Sequence, residues 1–192
     1  MKNRKIGRLG FTLIELLVVV LILGILSGIA LPQYQNSILR AKISEAWLNV
    51  HQLQKSVDLY YLTYRKCPRD LKELENLPAG LTAKGQGEIL ENGNYSVRMD
   101  SQNWEYRVEV SYMDTTGGEV CKIQAVPVDI KKIPSMSIQM YNSKALRRNQ
   151  GRNIHNRCCG NGDSRVAKIC QNLTDGSSTP DRGSFPKGCW YF

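Results

Sequence analysis

The sequence predicts an α+β chain: a long N-terminal helix, apolar in its first half and amphipathic in its second, packed on an antiparallel β-sheet head with a disulfide-rich C-terminal loop region. Three observations carry this. Residues 11–31 read FTLIELLVVVLILGILSGIAL, with Glu15 as the sole ionisable side chain. Apolar residues then recur at helical spacing from Leu39 to Tyr64, and residues 103–112 alternate polar and apolar at strand spacing. Four of the six cysteines crowd into residues 151–192.

The 192 residues suffice for one globular domain and an appendage, not for an enzyme with a separate cofactor module. At 42% hydrophobic and 22% charged, the composition excludes wholesale disorder. The formal net charge is +9, and four of the 26 basic residues (Lys2, Arg4, Lys5, Arg8) fall in residues 1–10, with no acid among them. This basic stretch precedes the apolar segment 11–31, which as a helix is about 31 Å long, the thickness of a bilayer's hydrocarbon core. The positive-inside rule keeps residues 1–10 in the cytoplasm and sends everything after Pro32 across the membrane in a single N-in pass.

A secretory signal peptide would explain the basic start, with Gly28-Ile29-Ala30 as small residues before a cut. Glu15 opposes it, because a carboxylate at mid-bilayer costs about 2.5–3.5 kcal/mol on insertion scales. A plain signal anchor explains the apolar run but not the acid. The third reading rests on residue order: a basic leader, Gly10, then Phe11-Thr12-Leu13-Ile14-Glu15-Leu16-Leu17-Val18-Val19-Val20. Over about the first 35 residues, this closely resembles the type IV prepilin family of pilins, minor pilins and type II secretion pseudopilins.

The resemblance implies that a prepilin peptidase cuts after Gly10, that Phe11 becomes the N-methylated terminus, and that Glu15 is the fifth mature residue. It further implies that Glu15 meets the Phe11 ammonium of a neighbour in the filament. The chemistry is coherent: Gly10 offers no side chain to obstruct the peptidase, and cleavage leaves an ammonium and a carboxylate at i and i+4. A carboxylate isolated in lipid seeks a cation, and the pair neutralises both charges in an apolar core.

Gly24, Gly28 and Pro32 interrupt the aliphatic helix, and Pro32 crowds the carbonyl of Gly28. They predict a kink, and the resemblance implies partial loss of helix between glycine and proline in filaments. Residues 32–66 continue the helix: Leu39, Ile43, Ala46, Val50, Leu53, Val57, Tyr60 and Tyr64 form a stripe, with Arg40, Lys42, Glu45, Gln52, Gln54 and Lys55 off it. A coiled coil has this spacing too, but a chain with a downstream domain more often packs the stripe on its own sheet. Cys67-Pro68 ends a helix of about residues 11–65, roughly 80 Å long.

Residues 67–192 form the head. Residues 71–77 predict a short helix closed by Pro78 and Gly80, and 82–94 a polar connection. Tyr95–Met99, Trp104–Tyr112 and Glu119–Val126 predict a β-meander over about 95–127, turning at 114–118. Residues 136–148 are assigned a further short helix. From Gly151 the composition shifts to Gly, Asn, Ser, Asp and Pro, and in an oxidising compartment the even set Cys67, Cys121, Cys158, Cys159, Cys170 and Cys189 predicts structural disulfides. Six cysteines allow 15 pairings, with Cys158 and Cys159 seeking different partners because a vicinal bridge strains the backbone. The resemblance to pilins implies a C-terminal loop closed by Cys170 and Cys189.

A zinc alternative on His155, Cys158, Cys159 and Cys170 lacks a paired C-x2-C knuckle, and no metal is expected. His51 and His155 are the two histidines, and no G-x-S-x-G, H-E-x-x-H or phosphate-binding loop accompanies them. No enzyme and no cofactor is expected. Lys131, Lys132, Lys144, Arg147, Arg148, Arg152 and Arg157, with Tyr141 among them, make a basic region that reads as a solvated face complementing neighbours, with DNA as the alternative ligand.

The resulting expectation is a structural subunit of a type IV pilus-like filament. The resemblance implies an inner-membrane precursor with a periplasmic head and an extracellular pilus after assembly. Its implied partners are other pilin subunits, prepilin peptidase, an inner-membrane assembly platform and membrane lipid. The alternatives are a pseudopilin of a type II secretion system and a single-pass membrane-anchored binding protein, with DNA uptake as one such role.

Overall fold

A computed structural model describes residues 11–83, 88–89, 95–113, 119–142, 156–160, 162–174 and 189–191. Helix α1 spans Leu13–Tyr64 without interruption, Pro32 included. The chain divides into two compact units, the first ending at Leu39 and the second starting at Arg40.

In the first unit, α1 is an isolated apolar rod: Leu13, Ile14, Leu16, Leu17 and the residues through Leu31 are all exposed. The aliphatic run carries the helix by its own i to i−4 bonds, which need no tertiary partner where water is absent.

In the second unit, α1 lies on one antiparallel sheet. Ile43, Ala46, Val50, Leu53 and Val57 are fully buried, as the stripe requires. The stripe departs from expectation in the last turn, where Tyr61 is buried and Tyr64 is 59% exposed. A 3.5-residue pattern drifts about 20° per heptad on a 3.6-residue helix, so the inward position moves along the sequence by the C-terminus. The helix stops where Arg65 adopts a left-handed φ of 59°, its amide donating to the Tyr61 carbonyl at 3.0 Å.

The sheet is built from β3 (Tyr95–Asp100), β4 (Trp104–Met113), β5 (Glu119–Pro127), β6 (Met136–Tyr141), β7 (Arg157–Gly160) and β8 (Cys189–Tyr191), each pairing antiparallel with the next. Two two-residue strands, β1 (Thr82–Ala83) and β2 (Glu88–Ile89), both pair with β3 on its outer edge. Val97, Met99, Trp104, Tyr106, Val108, Ile123, Ala125, Ile138 and Met140 are buried, while Arg98, Glu105, Arg107, Glu109, Lys122 and Gln124 alternate with them. Glu109 pairs with Lys122 and Glu105 with Arg107, on adjacent strands and within one, respectively.

Three polar contacts fix how α1 crosses the sheet. The Trp104 indole Nε1 donates to the Lys42 carbonyl at 3.0 Å, Asn49 Nδ2 to the Tyr106 hydroxyl at 2.9 Å, and Gln54 Nε2 to the Tyr141 carbonyl at 2.6 Å. In register, Trp104 sits opposite Pro127, Tyr106 opposite Ala125, and Tyr141 opposite Lys122. Strand β5 therefore runs opposite to the helix, with Pro127 at the Lys42 end. The disulfide Cys67–Cys121 closes the other end, beside the Arg69–Glu119 ion pair.

Three sequence expectations need correction. Residues 136–141 are strand β6 rather than the start of a helix, because Met136, Ile138 and Met140 alternate inward at period two; residues 143–148 lie outside the described ones. The segment 71–77 yields only a 3-10 turn at Leu71–Glu73, capped where Glu73 accepts from the Arg69 amide at 2.6 Å. The tail is less loop-rich than its composition suggests. It contains β7, β8 and helix α2 (Ser164–Leu173), which starts where the Asp163 carboxylate accepts from the Arg165 and Val166 amides and which buries Val166, Ile169 and Cys170. Gly160 is required there: a Cβ would lie 2.9 Å from the Ala167 amide nitrogen and 2.9 Å from a Val166 methyl.

Candidate functional site

The segment from Phe11 to Leu31 is the part of the chain whose chemistry the fold does not absorb. No residue in its most apolar stretch is buried, and a continuous apolar surface of this size marks an interaction with lipid or protein. Gly24 and Gly28 have nothing within 4 Å of where a Cβ would stand, so no packing within the chain calls for their smallness. Pro32 removes one amide from the helical ladder at the end of the run.

Glu15 is the one charge in this surface. Its carboxylate Oε2 accepts from the Thr12 amide at 2.8 Å and from the Thr12 hydroxyl at 2.8 Å, while the Glu15 amide donates back to Thr12 Oγ1 at 3.3 Å. This reciprocal arrangement is a capping box, two orphan amides of the first turn satisfied by two side chains. Among the described residues, no cation pairs with Glu15. Phe11, 83% exposed, stands just before the capped turn. Gly10 and the rest of residues 1–10 lie outside the described residues.

These features fit a helix that enters an apolar phase with one carboxylate, held by Thr12 and paired with no cation among the described residues. The family model for the prokaryotic N-terminal methylation motif matches residues 7–31. The chain is also 39% identical over 101 residues to the type IV major pilin protein PilE of Neisseria gonorrhoeae, a match spanning 49% of this chain and 58% of that protein. The chain thus carries the N-terminal methylation motif and is similar to type IV major pilins over about half of its length. A fimbrial protein of Neisseria meningitidis serogroup A is similar at 39% over 101 residues, covering 49% of this chain and 56% of that one. The type IV major fimbrial protein FimA of Dichelobacter nodosus is 46% identical over 57 residues, 30% of this chain and 36% of that protein. The chain spans about half the length of the curated relatives it matches. No solved structure matches it.

The remaining candidates are placed as follows. The six cysteines form Cys67–Cys121, Cys158–Cys170 and Cys159–Cys189. Cys158 and Cys159 thus have different partners, and the implied Cys170–Cys189 closure is replaced by two bridges, because α2 turns Cys170 back onto β7. Bridged sulfurs offer no thiolate, which removes the zinc alternative's cysteine ligands; His155 is outside the described residues, which contain no group of three or more metal-ligating side chains. Of the basic cluster, Lys144, Arg147, Arg148 and Arg152 are outside the described residues. Lys131 and Lys132 are exposed on the β5–β6 turn, and Arg157 on β7 donates through Nε to Gln139 at 2.7 Å. His51 is half-buried on α1, its ring 4.9 Å from that of Trp47.

Thr12, which caps the first turn with Glu15, is the residue of this segment that the sequence reading missed. Its signal was present: T-x-x-E directly ahead of an aliphatic run is the sequence form of a capping box.

Proposed function

We propose that the chain is a structural subunit of a type IV pilus-like filament, made as a single-pass inner-membrane precursor with its head in the periplasm. On this reading residues 1–10 are a leader removed by prepilin peptidase after Gly10, and Phe11 becomes the methylated terminus. Residues 11–31 then serve as membrane anchor and later as polymerisation helix, 32–66 as the amphipathic continuation and 67–192 as the head. The observation that carries it is the Phe11–Leu31 surface, exposed throughout and bearing one carboxylate.

Extraction from lipid exchanges one apolar environment for another only if other copies of the same helix surround it, and an inner-membrane assembly platform would guide that transfer. Glu15 supplies register: the ammonium of Phe11 on a neighbouring subunit neutralises it, while mispacked copies leave both charges unpaired in an apolar core. Gly24, Gly28 and Pro32 let the helix bend or loosen near Pro32 as neighbours close in.

Intact mass and N-terminal sequencing of membrane-extracted, unreduced protein test processing. A chain beginning at methylated Phe11 is expected; one beginning at Met1 or Leu31 defeats the proposal. Glu15→Leu is expected to leave cleavage and insertion intact and to abolish recovery in sheared surface fibres. Normal incorporation of that variant would remove Glu15 from assembly. Absence of the processed wild-type chain from sheared fibres would point instead to a pseudopilin or a membrane-anchored binding protein.

A further inference from the structure

An open cavity of about 190 Å³ lies between the C-terminal turns of α1 and the segment around the 3-10 turn, wholly within the second unit. One wall is Ser56, Leu59, Tyr60, Thr63 and Tyr64, which share a helix face because they recur at steps of three and four. Glu73 and Glu75 form the other wall. That wall is pinned to its surroundings by hydrogen bonds. Glu73 Oε2 accepts from the Arg69 amide at 2.6 Å and from the Asp70 amide at 3.3 Å. The Asn76 carbonyl accepts from Gln52 Nε2 and from Ser56 Oγ, each at 3.2 Å, and Leu74 is buried between these anchors. The cavity is therefore built by the fold and needs no rearrangement to exist.

Its lining has acceptors and aromatic faces to offer, and its donors are already used. The Ser56 hydroxyl points its proton at the Gln52 and Asn76 carbonyls, and the Thr63 hydroxyl donates to the Leu59 carbonyl at 3.2 Å. Tyr60 donates to Glu73, and burial, followed by this bond, pushes its pKa up to about 12. The Tyr60 and Tyr64 ring centroids stand 4.6 Å apart, with Tyr60 buried and Tyr64 59% exposed. Both charged residues of the lining are carboxylates, in a chain whose formal net charge is +9. Arg69, whose charge reaches Tyr60, is engaged with Glu119. Glu75 is exposed, and among the described residues no cation pairs with it.

We propose that this cavity binds an alkylammonium group, its cation at the Glu75 carboxylate and the Tyr64 ring and its methylene stem along Leu59. The ring quadrupole and the carboxylate attract the same charge, and an ammonium brings the donors that the lining lacks. A neutral ligand forgoes both attractions, and an anion meets two carboxylates. A bare metal ion is a poor occupant, because hard cations take six or more oxygen ligands and the described residues contain no group of three or more metal-ligating side chains. A free amine and a lysine of another copy of the chain carry the same chemistry. Because the cavity belongs to the second unit alone, its occupancy holds whether or not the chain enters a filament.

The test is fluorine NMR of the full chain, labelled with fluorotyrosine and held in a maltoside detergent, which carries no ammonium group. Sodium chloride is exchanged for n-butylammonium chloride at constant ionic strength, and Tyr34→Phe, Tyr60→Phe and Tyr64→Phe assign the signals. A saturable shift of the Tyr64 signal is expected, with none at the exposed Tyr34 of the first unit. The neutral analogue n-butanol should produce no such shift. Glu75→Gln, and Tyr64→Leu read through Tyr60, should each raise the half-saturating concentration roughly threefold; both side chains are exposed, so the fold does not depend on them. Without added amine, a Tyr64 signal that moves with protein concentration and returns on adding butylammonium identifies a lysine of another copy as the source. A signal fixed until amine is added identifies a free amine. A shift matched by n-butanol, shared by Tyr34 or unchanged in both variants overturns the proposal, as does the absence of any saturable shift.

Discussion

Two parts of one sheet are held by different means. Strands β3 to β6 lie against α1 and are fastened by burial, with Trp104, Tyr106, Ile123, Ala125, Ile138 and Met140 all at 0% exposure. Strands β7 and β8 extend the same sheet beyond the helix with only four and three residues. There the cover is the ten-residue α2, and two disulfides, Cys158–Cys170 and Cys159–Cys189, tie helix and edge strand to β7. Apolar surface dominates the first region, with the single bridge Cys67–Cys121 at one end of it; two cross-links take over from apolar surface in the smaller second. A short, polar stretch cannot offset its conformational entropy by burial alone, whereas a bridge lowers the entropy of the unfolded chain directly.

The largest test of this contrast is Trp104→Ala. It removes a fully buried indole and its bond to the Lys42 carbonyl, and the expected loss is about 3–5 kcal/mol, read as a lowered denaturation midpoint of the full chain in detergent. The effect should be the same with or without the tail bridge Cys159–Cys189. A loss below about 1 kcal/mol would mean that the helix and sheet are not held by this contact.

Cys159→Ser with Cys189→Ser sharpens it from the other side. The bridge closes a separation of 30 residues, for which about 3 kcal/mol is expected in the tail. Hydrogen exchange should rise in β7, β8 and α2 while β4 and β5 remain protected. Equal deprotection of β4 would show that the two regions unfold as one.

The same contrast explains what was legible in the sequence. Where burial decides, periodicity reports it: the stripe Ile43 to Val57 and the alternation Trp104 to Val110 give the helix, the strands and the face each one buries. Strand β6 has the same alternation in Met136, Ile138 and Met140, but a run of long side chains also suits a helix, and pairing with β5 decides between them. Where cross-links decide, the pattern is weak. Strands of three and four residues are too short for a period, and α2 is announced only by Asp163 ahead of Val166, Ile169 and Cys170. The pairing of the cysteines follows from where α2 lies, which no spacing rule contains. In the candidate site, Gly10, Phe11 and Glu15 stand out in the sequence as parts of one motif, within residues 7–31 that the methylation-motif model matches, and Thr12 needed only its capping role to be weighed.

A smaller effect is expected from Asp163→Ala. The carboxylate caps α2 and pairs with Arg165, whose guanidinium first of all, together with the Arg165 and Val166 amides, holds Asp163 below the usual carboxylate range. Loss of the cap should cost about 1 kcal/mol, confined to the tail. Because the folded state favours the ionised form, this contribution is present above the ordinary pKa of 3.8 and disappears as pH falls below it.

The smallest effect separates the regions by pH. His51 lies on the helix of the first region, where burial, and next the charge of Lys55, lower its pKa from the ordinary 6.5. The folded state thus prefers the neutral imidazole, and an unfolded chain binds the proton first as pH falls. Stability from this group is complete above pH 6.5 and is lost as pH drops through the lowered folded value. With the ring only half-buried against Trp47, the expected change is on the order of a few tenths of a kcal/mol. His51→Gln should flatten the slope of stability between about pH 7 and 5 without touching the acid transition of Asp163. If the slope persists in that variant, another group of the helix–sheet core titrates there. If the tail rather than the core loosens in that window, the two regions share a coupling that their separate means of attachment do not predict.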